Sequence, residues 1–132
     1  MLDINFFDDP TSAPRAREDV RFKQLGFFVH PPDGRRIGIG FDITPFIERP
    51  SIEVVAVNAR GERAGTLTVV QTLQANFNLT LHLRDKEPTA AYTIMATLYY
   101  SSPENGRMDV HQLTGALDVT APPRQFTVSA GS

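Results

Sequence analysis

The sequence contains no cysteine and no tryptophan. The lack of cysteine excludes disulfides, thiolate zinc sites and iron–sulfur clusters. A chain of 132 residues is nevertheless long enough to form one hydrophobic core without such cross-links. The three histidines, His30, His82 and His111, do not have the spacing of a ligand pair on one element. We therefore expect no metal site and no cofactor.

The chain also lacks a charge excess and a long apolar run. Its net charge is −2 and its pI is near 5.9, whereas nucleic-acid binders are usually strongly basic. Its longest apolar runs, such as residues 54–57, are far shorter than the roughly 20 residues of a membrane-spanning helix. The first ten residues do not have the basic and apolar regions of a secretory signal. These features predict a cytoplasmic protein that binds neither nucleic acid nor membranes.

Short runs of β-branched and aromatic residues dominate from Val20 onward, separated by Pro, Gly and Asn. The clearest run is residues 37–43, in which large apolar residues alternate with small or polar ones. Seven such runs, with a possible eighth at Phe126 and Val128, predict an all-β antiparallel sandwich of seven to eight strands. Shifts in the alternation predict one β-bulge near residues 24–26 and a second irregularity, either an extra residue near residues 111–112 or a twist at Gly115.

One local pattern resembles a known fold family. The run Leu81-His-Leu83, a polar loop and then Ala91-Tyr92-Thr-Ile94 is similar to the tyrosine corner of immunoglobulin-like and fibronectin type III sandwiches. This resemblance implies that the Tyr92 hydroxyl bonds to nearby backbone, which is a structural role. It also implies an immunoglobulin-like fold, with Ile94 at the position of the second cysteine of an immunoglobulin domain. Such folds serve many functions, so the resemblance does not specify one.

The first 19 residues form a polar, proline-containing leader, and residues 20–132 form a single sandwich domain. We expect the leader to be partly disordered or to dock on the sandwich through Phe6 and Phe7. Gly38 and Gly40 leave one face of their strand without side chains, which allows another group to approach closely. The space above them is predicted to hold either these leader phenylalanines or a ligand.

Catalytic patterns are missing. The sequence contains no Gly-x-Ser-x-Gly elbow and no Ser-x-x-Lys motif. Asp42 is the only carboxylate within a strongly apolar strand, and its place in the alternation predicts an outward-facing side chain. Arg15, Arg17, Arg21 and Lys23 form a basic run that can meet Arg35 and Arg36, and a solvated surface explains such a run. We expect no catalytic residues.

The leading functional hypothesis is a non-enzymatic interaction module that binds a protein partner or a second copy of itself. It would use an edge strand, which permits a homodimer, or a sheet face bearing Gly38, Gly40, Met95 and Tyr99. The alternative is a carbohydrate or small-ligand module, with contacts from Tyr99, Asp42, Asn78 and His82. An enzyme of unrecognised type and a component of a larger assembly are two further hypotheses.

Overall fold

The computed structural model describes residues 13–31, 33–120 and 125–129. Eight strands and one short 3₁₀ helix at Arg17–Asp19 make up the regular structure of these residues. The strands are β1 (Phe22–Val29), β2 (Arg36–Ile43), β3 (Ser51–Asn58), β4 (Arg63–Val69), β5 (Asn76–His82), β6 (Ala91–Ser102), β7 (Gly106–Asp118) and β8 (Gln125–Ser129). The predicted all-β class is thereby confirmed. Within the described residues, no helix is long and apolar enough to cross a membrane.

The strands form two four-stranded sheets. The first sheet has the order β5-β2-β1-β8 and the second has the order β4-β3-β6-β7, with every pairing antiparallel. Three hairpins join neighbours along the chain, namely β1–β2, β3–β4 and β6–β7. Residues 103–105 form the turn between β6 and β7, and Gly106, the first residue of β7, has φ +69°. Glycine tolerates this left-handed conformation. Asn105 does not adopt a positive φ, so the prediction that Asn105 and Gly106 form the centre of a two-residue turn is wrong.

The core lies between the two sheets and follows the period of two in each strand. On β2, Ile37, Ile39, Phe41 and Ile43 are all buried, while Gly38 and Gly40 lie on the opposite face. Apolar side chains of β3 and β6 cover them from the second sheet. Each large buried side chain stabilises the fold by roughly 1.5–3 kcal/mol relative to exposure.

Two register shifts occur close to the predicted bulges. On β1, Lys23 is the extra residue between Phe22 and Gln24. On β7, Val110 is the extra residue, just before His111. The His111 ring lies against Phe22, and its Nδ1 accepts a hydrogen bond of 3.0 Å from the Phe22 N–H. The bulge on β7 therefore lies beside a direct link between the two sheets.

The described part of the leader runs along the sandwich. The Arg15 N–H donates to the Pro45 carbonyl, and the Ile47 N–H donates to the Arg15 carbonyl, both at 3.0 Å. Arg17 forms a salt bridge with Glu48, and its guanidinium lies 4.9 Å from the centre of the Tyr100 ring. Residues 13–19 thus contact the loop between β2 and β3. Phe6 and Phe7 lie outside the described residues, so their docking stays a prediction.

Candidate functional site

The outer face of the first sheet contains a groove with a glycine floor. Gly26 of β1 lies directly opposite Gly40 of β2, and Gly38 lies two residues from Gly40 on the same face. Three adjacent positions therefore have no side chain, and the backbone itself is accessible there. A Cβ atom added at Gly26 has no neighbour closer than 4.0 Å, which means that the floor is open at this point.

The walls of this glycine groove combine an aromatic ring with polar groups. Its volume is about 330 Å³, and its walls are formed mainly by Phe28, His30, Asn78, Thr80 and Thr127. Phe28 is 39% exposed, and its ring meets the His30 ring edge-on at 4.9 Å between centroids. The Asn78 Oδ1 atom lies 2.9 Å from the position of a Cβ at Gly40, so this amide extends over the floor.

Charged residues differ between the two ends of the groove. The outward-facing residues form four rows across the strands, namely Gln24, Asp42 and Asn76; Thr127, Gly26, Gly40 and Asn78; Phe28, Gly38 and Thr80; and His30, Arg36 and His82. The first row carries the Asp42 carboxylate and adjoins the exposed Lys23 of the β1 bulge. The two middle rows carry no charge, and the last row carries a guanidinium. The groove thus has a neutral centre, with a guanidinium at one end and charges of both signs at the other.

Five residues predicted from the sequence lie on this one face. Gly38, Gly40 and Asp42 alternate outward along β2, and Asn78 and His82 alternate outward along β5. Sequence reasoning missed Gly26, Phe28, His30 and Thr80. The alternation of β1 places Gly26 and Phe28 outward, but only the pairing of β1 with β2 brings them to Gly40.

The remaining predicted contact residues lie on the opposite side of the molecule. Met95 and Tyr99 belong to β6 in the second sheet, whereas Gly38 and Gly40 belong to the first. The interpretation that one sheet face bears all four residues is therefore wrong, because alternation assigns a face within a strand but does not assign the strand to a sheet. The Arg107 guanidinium lies 4.1 Å from the centre of the Tyr99 ring and also pairs with Glu53 at 2.9 Å.

The predicted basic patch is divided among separate contacts. Arg17 pairs with Glu48, and Arg35 pairs with Asp85 at 3.0 Å. Arg21 donates to the carbonyls of Glu18 and Val20. These arginines therefore do not form one surface with Arg36.

A buried polar cluster supports the end of the sandwich near the β1–β2 turn. The Asp85 side chain is only 4% exposed, and it accepts hydrogen bonds from Tyr92 at 3.0 Å, Asn58 at 3.1 Å and Arg35 at 3.0 Å. The Tyr92 hydroxyl also accepts a bond of 3.2 Å from the Thr89 N–H. Burial acts to raise the pKa of Asp85, but the hydrogen bonds from Asn58, Tyr92 and Arg35 outweigh it and leave the pKa below its ordinary value. All four side chains have partners within the cluster, which gives the cluster a structural role.

The three histidines do not converge. His30 and His82 lie on the outer face of the first sheet, and His111 lies between the sheets. Burial is the main cause that lowers the pKa of His111. Of the residues that the structure describes, no three His, Asp or Glu side chains are grouped closely enough to hold a metal ion.

The β2–β3 and β4–β5 loops carry three exposed apolar side chains. Ile47, Val70 and Leu73 are 70%, 71% and 78% exposed. Gln71 has φ 51°, and its N–H is held by the Ser51 hydroxyl at 3.0 Å. This loop is therefore fixed to the sandwich while its apolar side chains face solvent. We call Ile47, Val70 and Leu73 the apolar loop patch.

Comparisons with known proteins return only distant structural similarity. No protein-family model and no curated protein sequence matches the chain. A Ruminococcus gnavus β-glucuronidase in complex with uronic isofagomine has a TM-score of 0.46 and 11% identity over 76% of this chain. Its apo structure has a TM-score of 0.45 and 13% identity over the same share. In both cases this chain spans 16% of the other protein's length. At so low an identity and TM-score, the likeness does not bear on what this chain binds.

Proposed function

We propose that this chain is a non-enzymatic binding module that holds a sugar ring in the glycine groove. The observation that carries the proposal is the glycine floor of Gly26, Gly38 and Gly40 beneath a polar and aromatic wall. Small-ligand sites combine an apolar surface with a few polar groups that fix orientation, in volumes from roughly 300 Å³ upward. The groove has this composition and lies at the lower end of that size range.

The groove chemistry matches a ring that is apolar on one face and hydroxylated at its rim. The exposed Phe28 ring supplies an apolar surface, and the Asn78 amide supplies both a donor and an acceptor. Thr80 adds a hydroxyl, and His30 adds a ring nitrogen 3.3 Å from the Cβ position of Gly38. Among the described residues, no protein group forms a hydrogen bond with the Asn78 or Thr80 side chain, so a ligand is free to do so.

We also propose that the sandwich is immunoglobulin-like. The order of the strands supports this proposal: β1, β2 and β5 correspond to A, B and E, and β3, β6 and β7 correspond to C, F and G. The fourth strand lies beside β3, as strand C′ lies beside strand C in variable-type domains. The Thr89–Tyr92 hydrogen bond matches the expected tyrosine corner. In this assignment the groove lies on the outer face of the sheet that contains A, B and E.

The test compares the full chain with the Gly26→Val variant on an array of neutral and acidic oligosaccharides. Valine at this position adds a side chain over the open floor, where no atom lies closer than 4.0 Å to its Cβ. The proposal predicts that the unmodified chain binds members of the array and that the variant loses this binding while remaining folded. Equal binding by the two proteins would show that the groove is not the site.

The apolar loop patch favours a second candidate function, which is self-association. Three large apolar side chains are mostly exposed there, and the loop that carries two of them is fixed by hydrogen bonds from Gln71 and Thr72 to residues at the start of β3. Sedimentation equilibrium at high protein concentration tests this function. A dimer that dissociates in an Ile47→Ser, Val70→Ser, Leu73→Ser variant supports it, and a monomer at all concentrations contradicts it.

A further inference from the structure

We propose that the ligand is an acidic oligosaccharide, and that a basic corner formed by Arg36, Arg63, His82 and Arg84 binds its carboxylate or sulfate group. This inference rests on the proposed function of the glycine groove and specifies the chemical class of the ligand. It follows from where the chain places four cationic or ionisable side chains relative to that groove.

The close approach of two edge strands creates the basic corner. The Arg84 N–H donates to the Ala64 carbonyl at 2.7 Å, which joins the end of β5 to the start of β4. Gly65 makes this possible, because a Cβ there would lie 2.5 Å from the His82 carbonyl oxygen. Arg63 and Arg84 therefore line the same hollow of about 300 Å³, together with His82.

Arg36 extends the corner onto the face of the first sheet. It lies directly opposite His82 in the β2–β5 pairing. Side chains opposite each other on adjacent antiparallel strands are neighbours, with Cβ atoms about 5 Å apart. All four side chains of the corner are exposed and available to a ligand.

Carboxylates near the corner in sequence are engaged elsewhere. Glu62 accepts hydrogen bonds from Arg60 and Asn58, and Asp85 is enclosed in the buried polar cluster. Within the described residues, Arg36, Arg63 and Arg84 form no ion pair. Main-chain contacts thus hold cationic groups together without a neutralising acid, and an anion bound among them would relieve their repulsion.

The basic corner adjoins the glycine groove. Thr80 lines both hollows, so they are neighbours along β5. His82 is two residues beyond Thr80, and two residues of a strand span about 7 Å. A ligand with one ring over Gly38 and Gly40 would therefore place the acidic group of that ring or of its neighbour beside His82 and Arg84. This spacing favours an oligosaccharide over a free ion.

The experiment uses two matched probes, α-1,4-linked hexagalacturonate and its fully methyl-esterified form, which share the same rings and differ in charge. Binding of each probe to the full chain is measured by calorimetry at low salt. The acidic probe is expected to bind about tenfold more tightly. The Arg63→Gln, Arg84→Gln variant should lose that advantage and still bind the ester. Arg49→Gln, an exposed arginine at the other end of the sandwich, is the matched control and should bind as the unmodified chain does.

Any other outcome overturns the acidic-ligand inference. The outcomes also distinguish failure of this inference from failure of the proposed function of the glycine groove. If the full chain binds the two probes with equal affinity and Gly26→Val binds neither, the groove is a ligand site but the preference for an acidic ligand is wrong. Binding of hexagalacturonate that survives the double arginine substitution contradicts the role of the corner. If sodium sulfate, or vesicles of phosphatidylserine and phosphatidylcholine, bind as tightly as hexagalacturonate, the corner is a general anion-binding surface and the inference is wrong. If neither hexasaccharide binds, the acidic-ligand inference fails while the array still tests the groove.

Discussion

Gly26 of β1 and Gly40 of β2 lie directly opposite each other at the centre of the first sheet, with their missing side chains on the solvent side. A glycine inside a strand costs conformational entropy and supplies no packing. Two glycines in one cross-strand pair, with Gly38 beside them, weaken the sheet locally and leave a hollow on its surface. This relationship is the structural basis of the proposed ligand site.

Replacing Gly26 should stabilise the fold. Gly26→Val removes the entropic cost of glycine and adds a residue that favours strands, and the space above Gly26 is open. We expect the free energy of unfolding to rise by about 0.5–1 kcal/mol in urea titrations. Gly115→Val is the matched control. Its Cβ would lie 2.9 Å from Val128 and 3.1 Å from Phe27, so that substitution should lower the free energy of unfolding.

Removing the Asp85 carboxylate should destabilise the protein strongly. Asp85→Ala leaves the Tyr92 hydroxyl without its acceptor. The Asn58 amide and the Arg35 guanidinium each lose one acceptor, while the Glu62 carboxylate and the carbonyl of residue 85 remain. Because Arg35 keeps some access to solvent, we expect a loss of about 2–3 kcal/mol in urea unfolding. Asp109→Ala, whose carboxylate is largely exposed, should change the free energy of unfolding by less than about 0.5 kcal/mol. Equal effects of the two substitutions would contradict the structural role of the cluster.

The lowered pKa of Asp85 predicts that the folded protein loses stability at acidic pH. The pKa of Asp85 is lower in the folded chain than its ordinary value, so its contribution to stability is present above the unfolded pKa of about 3.9. That contribution is lost as the pH falls through the lower, folded pKa. Thermal unfolding of the unmodified chain should therefore show a decrease in Tm below about pH 4, and Asp85→Asn should reduce this pH dependence.

The lowered pKa of His111 predicts a second loss of stability as the pH falls, at higher pH values than the loss from Asp85. Its Nδ1 accepts a hydrogen bond from the Phe22 N–H, which requires an unprotonated nitrogen, and burial lowers its pKa. Its contribution is therefore present above the unfolded pKa of about 6.5 and decreases as the pH falls from there towards the folded pKa. His111→Asn offers an amide oxygen in place of Nδ1 and should remove this step in a plot of Tm against pH. A step that persists in this variant belongs to another group.

Gly65 should be required for the contact between β4 and β5. A Cβ at this position would lie 2.5 Å from a backbone oxygen of His82, which cannot move as a flexible side chain can. Gly65→Ala should therefore lower the Tm and increase exchange of the Arg84 amide hydrogen, which bonds to Ala64. Gly61→Ala is not a clean control because Gly61 has φ +81°, so Gly26→Ala serves instead. If Gly65→Ala leaves Tm and amide exchange unchanged, the edge strands do not need this close approach.

Local patterns predicted the strands well because an alternation such as that of β2 depends on neighbours in sequence. The Asn105-Gly106 pair marked the position of a hairpin but not its length, which is three residues. The pairing of strands depends on contacts that sequence spacing does not show. Met95 and Tyr99 alternate outward as expected, yet they lie on the sheet that does not contain Gly38. Periodicity predicts which residues share one face of a strand, whereas tertiary packing decides which strands lie in the same sheet.

The candidate site was predicted in part for the same reason. Gly38, Gly40 and Asp42 lie on one strand, so their common face follows from alternation. Gly26 joins them only through the β1–β2 register, and Arg63 meets Arg84 only through a backbone bond between separate sheets. Neither contact has a local signal, and the basic run near the leader was the more visible pattern.

The most direct test of the ligand site is a two-dimensional ¹H–¹⁵N spectrum of the full chain, recorded during titration with the oligosaccharide that binds best on the array. If the ligand binds in the glycine groove, the amide signals of Gly26, Gly38 and Gly40 shift together with that of Asn78 and saturate. The Gly26→Val variant should show no such shifts. If the saturating shifts are confined to the loops around Ile47 and Val70 and the glycine signals do not change, the ligand does not bind in the glycine groove.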